Sequence, residues 1–252
     1  MTAIAIFTFL EALRNRLLWL VLVFILILVG LVEFLGAVAI TETRQIQSGF
    51  MGALLRAGSV FILSLFVISS VVREFNDKGV ELVLSLPIPR SSYLLGKLVG
   101  FSALAALVAL SCGLSLLVYA PPLQVLIWTL SLCMELLIVT ALSLLCLFTF
   151  SQVTVALSAV MAFYLLSRSI TAIQLMGHFP IVSMDSLAQT ITVWLLDALA
   201  FVLPELDSFT LSAWLIYHTA SWPALAPIFS QTVIYVSLLC AAAMFDLYRR
   251  NF

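Results

Sequence analysis

Residues 98–150 read LVGFSALAALVALSCGLSLLVYAPPLQVLIWTLSLCMELLIVTALSLLCLFTF, a run with one charged side chain, Glu135, and one break, the pair Pro121-Pro122. A helix needs about 20 apolar residues to cross a hydrocarbon layer of about 30 Å. The run is long enough for two such helices, and the proline pair, which cannot continue a helix, turns one back on the other. The reading that follows is an all-α polytopic membrane protein.

Composition outside the run agrees. Of the 252 residues, 64% are apolar and 9% are charged, where a soluble domain carries about a quarter charged residues. Disorder and collagen-like repeats do not fit so apolar a chain with only 10 glycines. The balance of 11 basic and 12 acidic residues gives no basic surface for nucleic acid. The four cysteines, Cys112, Cys133, Cys146 and Cys240, sit inside apolar runs without a C-x-x-C spacing, so they read as small buried residues and no metal site is expected.

By the same length standard six spans emerge, at 17–40, 50–72, 98–120, 123–150, 153–176 and 228–245. The first is expected to be retained, since no small-residue cleavage site follows it. Spans three, four and five are joined by very short turns and must be antiparallel neighbours. Basic residues in short loops mark the cytoplasmic side. With both termini inside, Arg14, Arg16, Arg73, Lys78, Arg90, Lys97, Arg249 and Arg250 are cytoplasmic, while Arg44 and Arg56 fall outside together with Asp185, Asp197, Glu205 and Asp207.

Residues 187–203 are nearly apolar enough to cross but carry Asp197, and a seventh span there would put Arg249 and Arg250 on the wrong side. An outer re-entrant or interfacial helical hairpin, within 177–227, is the cheaper solution. Trp194, Trp214, Tyr217 and Trp222 suit headgroup depth. The chain is thus expected to be a single transmembrane domain over 1–252, with a cytoplasmic interfacial helix at 1–16 and a cytoplasmic link at 73–97.

The residues offer no enzyme. Gly96-Lys97 is followed by Leu98 and lacks the preceding glycine loop of a P-loop, and neither a G-x-S-x-G elbow nor an H-E-x-x-H pair occurs. His178 and His218, with Met176 and Met184, can be imagined as soft copper ligands, but they read better as interfacial side chains.

Three charges stand inside spans, each costing about 2.5–3.5 kcal/mol at the membrane centre. At about 1.5 Å per residue, Glu33 lies about 24 Å, and Glu135 and Arg168 about 22 Å, above the cytoplasmic ends of their helices. The shared level predicts an ionic cluster in which Arg168 neutralises Glu135 and Glu33 shares the cation. Its role is either a packing lock or substrate handling.

The longest polar stretch is VVREFNDKGVELVLSLPIPRSSYLLGKLVG at 71–100. Within it 79–86 form a short amphipathic helix stopped by Pro87 and Pro89, with charges on both sides of the apolar face. That is how a docking element is built. Residues 4–16 place Ile6, Phe9, Leu10, Leu13 and Leu17 opposite Glu11, Arg14, Asn15 and Arg16, the pattern of an interfacial helix.

These two segments, FLEALRNRLLWLVLVF and REFNDKGVELVLSLPIPRSSYLLGK, resemble the type-2 ATP-binding-cassette (ABC) transporter permeases, in particular the subgroup linked to multicopper-enzyme maturation and nitrous-oxide-reductase assembly. In the link an acid, a glycine, a leucine-rich run ending in proline, a basic residue and Gly-Lys recur in order. The resemblance implies an exporter permease in the inner membrane that pairs with a second permease chain, as a homodimer, and with separate ATPase subunits. ATP and Mg would be bound by those ATPases and no cofactor by this chain. It further implies a coupling helix at 79–86, with Glu74, Lys78, Gly79, Glu81, Leu82, Pro87, Arg90 and Lys97 as coupling residues. The spans lack the internal symmetry of secondary transporters, but a scaffold, or a complex that transmits force without cargo, stays open. The scarcity of polar groups in the spans favours a hydrophobic cargo or none.

Overall fold

The computed structural model describes residues 2–14, 17–38, 42–76, 89–150, 152–178 and 187–249. They form α1 (Thr2–Arg14), α2 (Leu17–Val38), α3 (Thr43–Asn76), α4 (Arg90–Leu116), α5 (Pro122–Thr149), α6 (Val153–His178), α7 (Leu187–Val202), α8 (Ser212–Tyr217) and α9 (Leu225–Arg249), with short 3-10 turns at Leu206–Ser208 and Trp222–Ala224. No strand occurs among the described residues. Among the described residues six helices are long and apolar enough to cross a membrane: α2, α3, α4 from Ser91, α5, α6, and Trp222–Arg249. The protein is an all-α polytopic membrane protein.

Helix ends follow local chemistry. Pro89 and Pro121 stand extended just before α4 and α5 (ψ 141° and 143°), and Pro122 occupies the first turn of α5, where its missing N–H costs nothing. Phe150 reverts to extended backbone and ends α5. Two spans are longer than apolarity alone predicts. α3 starts at Thr43 and α4 at Arg90, because polar residues prolong a helix beyond the hydrocarbon as readily as apolar ones fill it.

Helix α5 is the hub, packed by α3, α4, α6, α8 and α9. Of its apolar window 72% is buried, against 22% for α2 and for the last span. Its neighbours α4 and α6 are the two spans tied to it by short turns. At one end of α5 the Thr149 hydroxyl donates to Asp246 of α9 at 2.6 Å. At the other, Gln124 bonds the backbone of His218 and Ala220 beyond α8. The segment 191–217 is a bent pair, its two halves at 61° around the 203–211 turn.

The first helix packs through its small residues. α1 forms, but the residues it buries are Thr8 and Ala12, while Ile6, Phe7 and Leu10 are exposed. Small residues let two backbones approach, so they take the protein side, and bulky apolar ones are left to lipid. The seat is Gly100 of α4, where a Cβ would lie 2.7 Å from Thr8 Cβ and 2.8 Å from the Ala5 carbonyl oxygen. Gly100→Val is therefore expected to lift α1 off α4 at a cost of about 1–3 kcal/mol. Faster amide exchange confined to 2–14 would register it; unchanged exchange there would exclude the seat.

Candidate functional site

The charges inside the bundle gather around Glu135. Ser131 and Glu135 share one face of α5, and Tyr164 and Arg168 one face of α6, each pair four residues apart. Glu135 is fully buried. Its Oε1 accepts from the Tyr164 hydroxyl at 2.8 Å and lies 3.6 Å from the Arg168 guanidinium. Its Oε2 accepts from the Thr210 hydroxyl at 2.7 Å.

The 203–211 turn completes the site. Leu206, Phe209 and Thr210 are buried, while Glu205 and Asp207 are exposed. Arg168 donates to the carbonyls of Leu206 (2.6 Å) and Phe209 (3.3 Å). Thr210 holds φ 45°, a left-handed conformation that costs a β-branched residue about 1–2 kcal/mol. Three bonds offset it. The Thr210 N–H donates to Ser131 (2.9 Å), the hydroxyl to Glu135, and the carbonyl accepts from Arg56 (3.2 Å). Arg56, on α3, also lies within electrostatic reach of Glu135, Tyr164 and Arg168. Two guanidiniums thus face one carboxylate, and loop carbonyls accept from both.

Glu33 is not part of this network. Its carboxylate accepts from the Tyr119 hydroxyl at 2.9 Å, and α2 packs chiefly on α3. Burial, and next the neighbouring Glu33 carboxylate, push the Tyr119 phenol up to about 12, so it remains a donor. The cation nearest the Arg168–Glu135 pair is supplied from α3, by Arg56. Of these partners Ser131 and Tyr164 were findable from their four-residue spacing to Glu135 and Arg168; Thr210, in a turn, carries no such signal.

At the opposite end, α3 and α4 flank the link. Lys97, 4% exposed, pairs with Glu74 at 2.6 Å. Its ammonium also lies 6.0 Å from the Tyr93 ring centroid and 5.9 Å from that of Phe101. Ser70 donates to Glu11 of α1 at 3.3 Å. Glu74 and Lys97, two of the expected coupling residues, brace the two ends of the link against each other. Arg90 is the first residue of α4. Lys78, Gly79, Glu81, Leu82 and Pro87, with the amphipathic segment 79–86, lie outside the described residues. Among the described residues no group of His, Cys, Asp and Glu could hold a metal ion.

A bundle of membrane-spanning helices with a charge-anchored turn at one end defines a multi-pass membrane protein. Residues 39–204 match the family described as ABC-2 family transporter protein, and the chain belongs to that family. It is an ABC transporter permease, of a family whose members typically pair with an ATPase subunit. The matched region runs from just before α3 through α7 and holds the link, Arg56, Glu135 and Arg168. No curated protein matches the chain.

Proposed function

We propose that the chain is the membrane subunit of an ABC exporter of the inner membrane, with the link end and both termini cytoplasmic, working as a homodimer under two ATPase subunits. ATP and Mg belong to those subunits. Within the family, the order of acid, glycine, proline, base and Gly-Lys in the link favours the multicopper-enzyme-maturation subgroup.

The observation that carries the reading is the Glu74–Lys97 pair. A link that receives force must deliver it to both adjoining spans, and this buried pair ties the end of α3 to the start of α4 at that point. Closure of the ATPases around ATP pushes the links of the two copies together, and differential affinity for ATP in the two states drives the switch. A groove of about 750 Å³ between α4, α5 and α9 is lined by Leu130, Met134, Leu137, Val233, Val236 and Met244 among others. Its apolar walls favour a hydrophobic cargo.

Glu81→Lys and Pro87→Leu test the docking role. The chain purified from native membranes is expected to lose its co-purifying ATPase in either variant while its thermal unfolding midpoint stays within about 2 °C, so that the loss is not one of folding. Retention of the ATPase at wild-type stoichiometry would overturn the reading.

A further inference from the structure

The turn at 203–211 contributes no charge to the site it enters. Every strong group comes from the spans, and from three different ones: Arg56 of α3, Ser131 and Glu135 of α5, and Arg168 of α6, with Tyr164 supporting Glu135. Thr210 alone spends its N–H, carbonyl and hydroxyl on two of them. The turn is therefore held only while α3, α5 and α6 keep their present relative positions. A shift of α3 along or about its axis withdraws Arg56 from the Thr210 carbonyl and leaves strained backbone with fewer bonds to offset it.

Helix α3 is also the element that reaches the other end. It is continuous from Thr43 to Asn76 and contains no proline, and about 27 Å separate Arg56 from Glu74 along it, at about 1.5 Å per residue. Displacement at the link thus arrives at Arg56 through one unbroken helix. Unspent hydrogen-bonding capacity lies on the helices that hold the turn. Arg56 Nε, Trp128 Nε1 and Ser167 Oγ are buried without partners, and Trp128 stands one turn before Ser131 on α5. A network with unused donors has groups available for a second arrangement.

We infer that the 203–211 turn is a latch closing the end of the bundle opposite the link, seated by Glu135 and Arg168 and keyed by Arg56, so that movement of the link releases it through α3. The inference rests on the transport reading only for the use made of the latch. The latch itself is a property of this chain and needs no ATPase to be observed.

Hydrogen exchange on the full chain in lipid nanodiscs tests it. Thr210→Val removes the hydroxyl while keeping the β-branched shape, and Thr210→Ser keeps the hydroxyl. Thr210→Val is expected to raise exchange of the 206–211 amides about tenfold, with Thr210→Ser near wild type and α5 unchanged. Glu74→Gln, which weakens the Lys97 pair at the far end, is expected to raise exchange of the same amides about threefold, again with α5 unchanged. Wild-type exchange at 206–211 in Thr210→Val would overturn the latch. Wild-type exchange there in Glu74→Gln would overturn its connection to the link, which a purely structural contact at Thr210 would not provide. Loss of ATPase co-purification bears on neither result, so failure of the transport reading and failure of the latch are separable.

Discussion

Glu135→Ala is expected to destabilise the bundle by about 3–5 kcal/mol, because it leaves Arg168 and Arg56 without a counter-charge in a buried site. The loss includes two good hydrogen bonds, from Tyr164 and Thr210, but the larger part is the uncompensated charge. Two companion variants separate these contributions. Glu135→Gln retains one acceptor oxygen and fills the same volume, so it should cost less than alanine. Glu135→Ala combined with Arg168→Met should recover part of the alanine loss, since replacing a whole buried pair by apolar groups is often close to neutral. Thermal unfolding midpoints of the nanodisc-embedded variants provide the measurement. A double variant less stable than Glu135→Ala would show that Arg168 acts by packing and by its carbonyl bonds to Leu206 and Phe209, and not mainly through Glu135.

Lys97→Ala is the second large effect, and it separates stability from function. Lys97 is almost wholly buried and its partner Glu74 is 22% exposed. Removing the ammonium strands a partly hydrated carboxylate at a cost of about 2 kcal/mol. The functional consequence is expected to be greater than the thermodynamic one. With the ends of α3 and α4 no longer fastened, the link should still bind its ATPase but drive the spans poorly. The expected result is a complex of wild-type stoichiometry whose ATP hydrolysis no longer responds to the permease. Lys97→Arg should restore part of the response, since it returns the charge with a different shape. Full coupling in Lys97→Ala would show that the brace does not transmit force.

The physical content of these predictions was unevenly visible in the amino-acid order. Apolar length sets out the spans, and prolines place the turns at Pro89 and Pro121-Pro122. Depth arithmetic puts Glu135 and Arg168 at one level, and they are neighbours across α5 and α6. The same arithmetic puts Glu33 at that level, yet Glu33 bonds Tyr119. Distance along the membrane normal is readable from residue number, whereas the direction a side chain faces depends on which helices touch. Arg56 shows the converse. Counted from the sequence as an outward basic residue, it reaches Thr210 because α3 packs between α2 and the α5–α6 pair.

The lead helix shows a related limit. Amphipathic spacing predicts a helix over α1, and it forms, but spacing does not say which of its residues touch the bundle. In water the bulky apolar face turns inward; beside lipid it has no reason to, and close packing at Gly100 selects Ala5 and Thr8.

What the sequence by itself determined is therefore one-dimensional: the class of protein, the six crossings, their turns, and the heights at which charge enters the bundle. The hydrocarbon thickness imposes these through a sum over consecutive residues. The tertiary structure decided the angular part: which carboxylate meets which guanidinium, that a turn at 203–211 descends to Glu135, and that Lys97 turns inward to Glu74. Those outcomes depend on contacts between residues as many as 154 positions apart, as between Arg56 and Thr210. Partners so remote carry no period or spacing that a local pattern can express.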